Sequence, residues 1–277
     1  MSERRWSVVT VTYNSANTLR QCWSDSAKPY DWIVVDNCST DASPNVAEEL
    51  GARVVRLPAN VGFSRANNVG LRYSTSEYIL FANPDLEVAH DGLDALQAHL
   101  DVHGGLVAPQ LLSPTGALQP NGRGFPYATA KLGNRKFWPL SRLHASYRRT
   151  AQPGEAIWTA WVMGAAVAAR RNDFIELGAW SERFFLYYED HELGLRAWRQ
   201  RHPVALLGDV QWKHHWARAT NSFRWSRAHT LEVRSAMTFY RMFPEFLLGL
   251  PPAGRRHRRA AALIGSQVGP TRIPTAT

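Results

Sequence analysis

The sequence is poor in cysteine and contains no long apolar run, and each absence excludes classes of protein. Cys22 and Cys38 are the only cysteines among 277 residues, and they give neither a disulfide framework nor a zinc-ligand spacing. No run reaches the length of about 18 apolar residues that a membrane-spanning helix needs. The first residues, Met-Ser-Glu-Arg-Arg-Trp, lead directly into a strand pattern, so no signal peptide is predicted. We therefore expect a cytoplasmic protein.

Two common phosphate-binding motifs are also missing. No Gly-x-Gly-x-x-Gly follows the first predicted strand, and no Gly-Lys-Ser or Gly-Lys-Thr occurs in the chain. Their absence argues against a dinucleotide-dependent enzyme and against a P-loop nucleotide hydrolase.

What the sequence does contain indicates a globular protein with an anionic partner. Hydrophobic residues make up 45% of the chain and charged residues 20%, which is typical of a folded domain. The formal net charge is +9 and the pI about 9.9. Such a charge favours contact with nucleic acid, a phosphorylated substrate or an anionic lipid surface, and charge alone does not choose among them.

The first part of the chain alternates between strand and helix patterns. Alternation of this kind predicts an α/β fold with a parallel, twisted sheet and ligands at the carboxyl ends of its strands. The predicted elements are a strand at 7–12, a helix through Leu19 and Trp23 capped by Ser15 or Asn17, a strand at 32–35, a helix at about 44–50 ending at Gly51, and a strand at 53–57.

Oxygen-bearing side chains follow the predicted strands where each one ends. Asp36 comes after the second strand, and Asn83 and Asp85 follow a buried strand at 78–82. Pro84 cannot continue a strand ladder, so the chain must turn there. Carboxylate and amide oxygens suit Mg²⁺ or Mn²⁺ holding a diphosphate. The alternative is that Asn-Pro-Asp only closes the strand as a turn.

Three later segments also leave alternatives open. The Gly- and Asn-rich stretch 60–70 predicts either an anion site at a helix amino end or a capped helix with a solvated Arg65. Residues 109–155 are irregular and basic, which favours a mobile segment on the acceptor side. The basic residues there are Arg123, Lys131, Arg135, Lys136, Arg142, Arg148 and Arg149. Residues 158–171 predict an aromatic start followed by a small-residue strand.

An acidic pair and a histidine pair follow. We expect 184–188 to be a buried aromatic strand and Asp190 to open a helix. An acidic residue at a helix start is ordinarily a favourable dipole contact, but one placed after a buried strand is also suited to act as a base. A short strand is predicted at 204–207, and His214 and His215 beside an acidic site suit either metal binding or a structural role.

The C-terminal part is basic. Residues 225–246 predict an amphipathic helix that Pro251 and Pro252 end, and the arginine cluster at 255–259 suits either an anionic membrane surface or a solvated, disordered tail. We divide the chain into one domain at 1–250, with a first half at 1–108 and a second half at 109–250, and a basic tail at 251–277.

Seven motifs occur together in one order, over about residues 6–223. They are Val-Thr-Tyr-Asn at 11–14, Val-Val-Asp-Asn-x-Ser-x-Asp at 34–41, Asn-x-Gly-Phe-x-x-Ala-Asn-Asn at 60–68, Asn-Pro-Asp at 83–85, Trp-Val-x-Gly-Ala at 161–165, Glu-Asp-x-Glu-Leu-x-x-Arg at 189–196 and His214. This set resembles an inverting glycosyltransferase of family 2 with the GT-A fold, and the Asn-Pro-Asp form is most similar to the rhamnosyltransferase-type subgroup.

The resemblance implies a fold, a cofactor and a role for each motif. The fold would be a mostly parallel, Rossmann-like sheet with helices on both faces and an acceptor-side subdomain, and the cofactor Mg²⁺ or Mn²⁺. The residues implied to bind the nucleotide are Thr12, Tyr13, Asn14, Asp36 and Asn67. Asp85, with Asn83 beside it, would bind the metal and the diphosphate, and His214 would be a further metal ligand. Asp190 would be the general base, Glu189 would orient it or the acceptor, and Trp161 and Gly164 would shape the sugar and acceptor cleft.

One departure weakens the assignment of the histidine. The family's usual Gly-Gly after it is replaced by Trp216 and Ala217, so the choice of His214 over His215 stays open. The implied reaction moves a sugar, with rhamnose or a related deoxysugar favoured, from a dTDP- or UDP-linked donor to a glycan, lipid-linked or small-molecule acceptor. Peripheral contact with the inner face of a membrane is expected through the basic C-terminus. Two alternatives are nucleotidyl transfer on a similar sheet and nucleic-acid binding, the second disfavoured because no continuous basic stripe is predicted.

Overall fold

A ten-stranded mixed sheet organises the chain. The computed structural model describes residues 4–24, 28–133, 147–215, 227–247, 255–266 and 269–270. The strands are β1 (Trp6–Thr12), β2 (Asp31–Asp36), β3 (Arg53–Arg56), β4 (Tyr78–Ala82), β5 (Leu86–Glu87), β6 (Leu106–Leu112), β7 (Leu118–Gln119), β8 (Gly122–Arg123), β9 (Arg148–Arg149), β10 (Ala156–Trp158), β11 (Trp161–Val162), β12 (Ala166–Arg170) and β13 (Val204–His214).

Nine helices are described, most of them between strands. They are α1 (Ala16–Cys22), α2 (Ser43–Glu49), α3 (Phe63–Tyr73), α4 (Gly92–His103), α5 (Ala128–Gly133), α6 (Arg171–Glu176), α7 (Glu189–Arg199), α8 (Arg227–Met242) and α9 (Arg258–Gly265), with a 3₁₀ turn at Pro244–Phe246. None of the helices within these described ranges is both long and apolar enough to cross a membrane.

The main sheet has the order β10-β13-β6-β12-β4-β1-β2-β3, with β5 added to β13 and β7 to β6. The β4-β1-β2-β3 part and the β6-β13 pair are parallel, whereas β12 runs antiparallel to both of its neighbours. The predicted α/β class with a mostly parallel sheet is therefore confirmed. One sheet also runs across the boundary predicted between the two halves of the domain.

The central strands form where the sequence is apolar on both faces. Val8, Val9, Ile79 and Leu80 are fully buried, as strands covered on both sides require. Gly70 lets α3 approach this layer, because a Cβ there would collide with Val9. The sheet thereby places the carboxyl ends of β1, β2 and β4 side by side.

Strand β13 is longer than the sequence predicted. The apolar run at 204–207 marks only its beginning, and a register shift separates Leu207 from Gln211. Beyond the shift, Val210, Trp212 and His214 are buried while the residues between them are more exposed. This period of two continues the strand to His214, and Gly208 and the irregularity hide it in the sequence.

The aromatic segment 184–188 is a bend and not a strand, so that prediction was wrong. Tyr187 and Tyr188 have φ angles of 71° and 67°, which a strand excludes. The bend is fixed by hydrogen bonds to its carbonyls, from Phe63 N to Phe185 O at 2.7 Å and from Ser235 Oγ to Leu186 O at 2.7 Å. Tertiary contacts thus override the strand preference of the aromatic residues.

Residues 109–133 and 147–155 are more regular than expected. They contribute β7, β8 and β9 and the helix α5, and β8 joins β9 and β11 in a three-stranded sheet. The buried Asn121 side chain accepts from Leu111 N at 3.1 Å and donates to Pro109 O at 2.8 Å. Side chains satisfy backbone groups here, which leaves little periodicity to detect. Arg135, Lys136 and Arg142 lie outside the described residues.

The structure also differs from the expected disordered tail. Helix α9 packs with Ala260 buried, and Arg149 donates to Ile264 O at 3.1 Å. His257 contacts the buried Glu245 at 3.1 Å. Burial raises the pKa of Glu245, but hydrogen bonds and the nearby Arg199 charge outweigh it and hold that pKa below its usual value. Pro251, Pro252 and residues 271–277 lie outside the described residues.

Gly194 lets α7 lie directly against β11, so we predict that Gly194→Ala destabilises the protein. An added Cβ would lie 2.7 Å from Ala160 O and 2.7 Å from Trp161 Cα, both backbone atoms that cannot rotate away. The free energy of unfolding should fall by about 1–3 kcal/mol, as measured by chemical denaturation. Gly265→Ala is the matched control, because nothing lies within 4 Å of its added Cβ. Equal denaturation midpoints for the two variants would contradict this packing.

Candidate active site

A cleft of about 500 Å³ opens where β1 and β4 end, beside the start of α7. Residues far apart in the sequence meet on its walls, as the motifs predicted. The predicted site residues that line it are Tyr13, Asn83, Asp85, Gly164, Glu189, Asp190 and His214. Asp85 and Asp190 therefore open onto the same cleft.

One wall carries a carboxylate and an imidazole. His214 ends β13, which pairs antiparallel with β5, and this register sets His214 opposite Leu86. His214 Nε2 lies 3.3 Å from Asp85 Oδ1, and both side chains are mostly buried. His214 Nδ1 lies 2.8 Å from Gln119 Oε1, and because that oxygen accepts, Nδ1 carries the proton. Nε2, on the other side of the ring, then faces the carboxylate.

His215 is directed elsewhere. Its Nε2 lies 2.6 Å from Glu87 Oε1 and its Nδ1 3.0 Å from Gln21 Nε2. The structure thus brings the imidazole of His214, and not that of His215, to the Asp85 carboxylate.

Asp85 and His214 form a pair and not a complete metal site. Within the described ranges, no group of three or more His, Cys, Asp or Glu side chains is placed to hold a metal ion. Asp85 Oδ1 is buried and accepts no hydrogen bond from the described residues. The donor set is a hard oxygen and an imidazole nitrogen, which suits a divalent cation whose other ligands come from a bound molecule.

The opposite wall carries Asp190, which is held by three N–H groups. Its Oδ2 accepts from Gly164 N at 3.2 Å, and its Oδ1 accepts from His191 N at 2.8 Å. His191 Nδ1 lies 2.5 Å from the same Oδ1. Donors of this kind stabilise the ionised carboxylate, and Asp190 still keeps 17% of its side-chain area exposed. Chemically, it is a carboxylate that lines the cleft and is suited to act as a base.

The bend before α7 aims this carboxylate. Tyr188 is the residue before the helix and adopts a left-handed conformation, which is uncommon for an aromatic residue. Its ring packs 5.4 Å from Phe239 and 6.1 Å from Tyr240, both on α8, measured between ring centroids. Gly62, with φ of 87°, lets the α3 loop pass this bend, because a Cβ there would lie 2.9 Å from Phe185 Cα. Strained backbone held by packing in this way is typical of functional sites.

The remaining predicted residues are not among those that line the cleft. Thr12 Oγ1 donates to Asp36 Oδ1 at 3.1 Å, and Ser39 N donates to Asp36 Oδ2 at 3.1 Å. Asn14, with φ of 53°, accepts from Thr40 N at 2.8 Å. Thus Asp36 and Asn14 order the loop after β2.

Asn67 and Trp161 also point away from the cleft. Asn67 Nδ2 donates to Phe63 O at 3.1 Å, within α3. The Trp161 ring is buried and stacks on His191 with centroids 3.5 Å apart. Trp161 is not among the residues that line this cleft, and its ring supports the residue beside Asp190.

The structure favours the plainer interpretation of Arg65. Its guanidinium lies 3.3 Å from Glu182 Oε2, and both side chains are about half exposed. The first amide of α3 is used by Phe185 O. Gly62 and Phe63 at the start of α3 therefore line the cleft, and Arg65 does not.

Sequence reasoning missed two residues that organise the site. Asn37 N donates to Thr12 O at 2.8 Å, and its side chain accepts from Val61 N at 2.9 Å, which ties three loops together at the cleft. Its position directly after Asp36 at a strand end was an available signal. His191 occupies an unspecified position in its motif, so no pattern pointed to it.

The chain belongs to glycosyl transferase family 2: residues 7–157, more than half of its length, match the sequence profile of that family. It is therefore a glycosyltransferase, and this decides against nucleotidyl transfer. Within the family it is similar to rhamnosyltransferases.

Two curated relatives carry that similarity. The N-acetylglucosaminyl-diphospho-decaprenol L-rhamnosyltransferase of Mycobacterium tuberculosis is 27% identical over 237 residues, which cover 77% of this chain and 76% of that protein. Rhamnosyltransferase WbbL of Escherichia coli is 27% identical over 184 residues, covering 59% of this chain and 66% of that one.

Solved structures identify the fold as GT-A. The mannosyltransferase PcManGT from Pyrobaculum calidifontis, solved with GDP-Man and Mn²⁺, superposes with a TM-score of 0.58 at 19% identity, covering 95% of this chain and 70% of that chain. S. aureus TarS 1–349 with UDP-GlcNAc gives a TM-score of 0.55 at 17% identity, covering 94% and 81%. At such identities the likeness concerns the fold alone.

Proposed function

We propose that this glycosyltransferase moves rhamnose or a related deoxysugar from a dTDP- or UDP-linked donor to a hydroxyl of a glycan, lipid-linked or small-molecule acceptor, with inversion at the anomeric carbon. The observation that carries this proposal is the placement of the Asp85–His214 pair and of Asp190 on two walls of one cleft. The Asp85–His214 wall, with a bound divalent cation, would stabilise an anionic leaving group. The Asp190 wall would take a proton from the attacking hydroxyl.

The donor diphosphate would lie at the Asp85 wall, with Asn83 beside it. His214 Nε2 and Asp85 Oδ1 lie 3.3 Å apart, and an imidazole nitrogen and a carboxylate oxygen both serve as ligands of divalent cations. These residues therefore fit Mg²⁺ or Mn²⁺, which when bound would neutralise charge on the leaving diphosphate. Gln119 fixes the His214 tautomer, in the manner of second-shell partners of metal-ligating histidines.

The acceptor hydroxyl would meet Asp190. The oxygen of the acceptor hydroxyl forms a bond to the anomeric carbon while the bond from that carbon to the diphosphate oxygen breaks. Asp190 takes the proton of the hydroxyl. A single displacement of this kind inverts the anomeric centre. Retention by double displacement would need a second carboxylate as the nucleophile beside the sugar. Glu189 lines the same wall and would orient the acceptor or the base.

The deoxysugar and acceptor classes are supported by the relatives. Two of them are named as rhamnosyltransferases, and one of these names specifies a diphospho-decaprenol acceptor. A lipid-linked acceptor requires the cleft to work close to a membrane surface.

We also propose peripheral membrane contact at the C-terminal side. Val233 and Met237 are about half exposed on α8, next to the exposed Arg234 and Arg241 on the same face. The segments 227–247 and 255–266 together contain seven arginines and two glutamates. Apolar and basic side chains on one helix face suit an anionic lipid surface at the inner face of a membrane.

Asp190→Asn should abolish transfer and leave donor binding unchanged. The amide keeps the size of the side chain but cannot take a proton, and loss of a general base typically costs about 10²–10⁴-fold in rate. Turnover would be followed by release of nucleoside diphosphate, and donor affinity by calorimetry. Asp94→Asn, an exposed change on α4, is the control. Turnover close to that of the wild type would remove the base assignment.

Asp85→Ala should weaken metal-dependent donor binding. Removing the oxygen beside His214 leaves one of the two protein ligands, so affinity for UDP in the presence of Mn²⁺ should fall at least about tenfold. Titration with and without EDTA measures the metal-dependent part. Glu87→Gln is the control, because Glu87 contacts His215 and lies outside the cleft. An unchanged metal dependence in Asp85→Ala would contradict the proposed site.

Reversing charge on α9 should reduce membrane binding. The variant Arg258→Glu with Arg259→Glu should bind vesicles of phosphatidylcholine and phosphatidylglycerol at least about tenfold more weakly, since each basic residue near such a surface contributes about 1 kcal/mol. Cosedimentation measures this. Arg72→Glu with Arg183→Glu makes the same charge change at other exposed positions. Equal losses in both variants would show that only net charge matters and would overturn the assigned surface.

A further inference from the structure

We infer that His191 is a positioning residue for Asp190: its imidazole N–H holds the carboxylate toward the cleft in the ionised form. The inference rests on the proposed function, in which Asp190 removes the acceptor proton. His191 itself does not line the cleft, so it would act through Asp190 and not on the substrate.

The contact requires a proton on His191 Nδ1 when Asp190 is ionised. His191 Nδ1 lies 2.5 Å from Asp190 Oδ1, and the backbone N of His191 donates to the same oxygen at 2.8 Å. An ionised carboxylate only accepts, so Nδ1 must carry the proton. The other oxygen, Oδ2, accepts from Gly164 N at 3.2 Å and defines the plane of the carboxylate. With both oxygens held by protein N–H groups, the carboxylate has one preferred orientation.

The imidazole cannot swing away from this contact. Trp161 stacks on one side, with centroids 3.5 Å apart and planes 24° apart, and Tyr188 stacks with centroids 4.6 Å apart and planes 25° apart. Phe239 from α8 meets the ring nearly edge-on, with centroids at 5.7 Å. The residue is 5% exposed. Such aromatic pairs are stabilised beyond the area they bury, so the ring is a fixed support.

Charged groups of both signs surround the stack, and burial together with the carboxylates Glu232 and Glu189 raises the pKa of Tyr187. Arg123 from β8 lies over the Trp161 ring, with its guanidinium carbon 5.8 Å from the centroid. The phenols around the stack are Tyr147, Tyr188 and Tyr240, and burial raises the pKa of each, so they stay neutral near pH 7. On α7 itself, Glu192 is paired with Arg196 at 2.8 Å, and Glu189 faces the cleft. Arg123 is thus a cation beside the Trp161 ring of the stack.

Loss of this donor should change both the rate and its pH dependence. Without it, Asp190 is less strongly stabilised as the anion, so a larger fraction is protonated at a given pH. The acidic limb of the kcat profile should then move to higher pH. Because the carboxylate also loses its fixed orientation, kcat should fall more than the donor KM changes.

Two substitutions at one position test this. His191→Phe keeps an aromatic ring between Trp161 and Tyr188 but removes the donor, whereas His191→Asn supplies an amide nitrogen near the place of Nδ1. We expect the Phe variant to lose at least about tenfold in kcat with its acidic limb shifted upward, and the Asn variant to regain part of both. A wild-type rate and profile in the Phe variant would overturn the inference. So would equal losses in the two variants, which would indicate packing alone.

A second measurement does not depend on catalysis. The ring ¹⁵N shifts of His191 in the full chain, assigned by their loss in His191→Phe, report which nitrogen carries the proton. We expect Nδ1–H in the wild type and a shift toward Nε2–H in Asp190→Ala. Sugar transfer together with an Nε2–H wild-type ring would overturn the inference. An Nδ1–H ring in a protein that transfers no sugar would uphold the contact and overturn the proposed function instead.

Discussion

The antiparallel pairing of β13 with β5 is the constraint on which the site depends. It sets His214 opposite Leu86, and Leu86 directly follows Asp85 in the sequence. The backbone N of His215 donates to Asp85 O at 2.8 Å. A shift of this pairing by one residue would place His215 opposite Leu86. Because side chains alternate along a strand, the shift would also turn the His214 side chain to the opposite face of the sheet. The register shift between Leu207 and Gln211 is therefore part of how the site is built.

The second wall depends on packing. Asp190 stands at the start of α7. Gly194, one turn further along this helix, lets α7 pack directly against Trp161 of β11. Three elements thus hold one carboxylate: the helix through His191, the β11–β12 connection through Gly164, and the bend at 184–188 through Tyr188. The two walls are supported by different contacts, so damage to one should leave the other folded.

Much of the first half was predictable from sequence. Apolar strands that end in Asn or Asp, separated by amphipathic helices, predicted β1 to β4 and the edge where Asp85 lies. Local pattern carries that information, because the central strands β1, β2 and β4 are buried along almost their whole length. The prediction that Asp85 and Asp190 lie on one cleft depended also on the resemblance of the motifs to a known family.

The rest depends on contacts that no local pattern encodes. The bend at 184–188 is held by Phe63 and Ser235, which are distant in the chain, and the helix α9 by the buried Glu245. His191 becomes visible only when its neighbours Trp161 and Tyr188 are placed on either side of it. Positive φ angles at Tyr187 and Tyr188 likewise oppose the intrinsic preference of those residues.

The central claim, that a cation held by Asp85 and His214 shares one cleft with Asp190, is tested most directly by paramagnetic broadening from Mn²⁺ added with a nucleoside diphosphate. The account predicts that the amide signals of Asn83, Gly164 and Asp190 broaden together, while those of the exposed Val102 and Ile175 stay sharp. Broadening at Asn83 with sharp signals at Gly164 and Asp190 would contradict it.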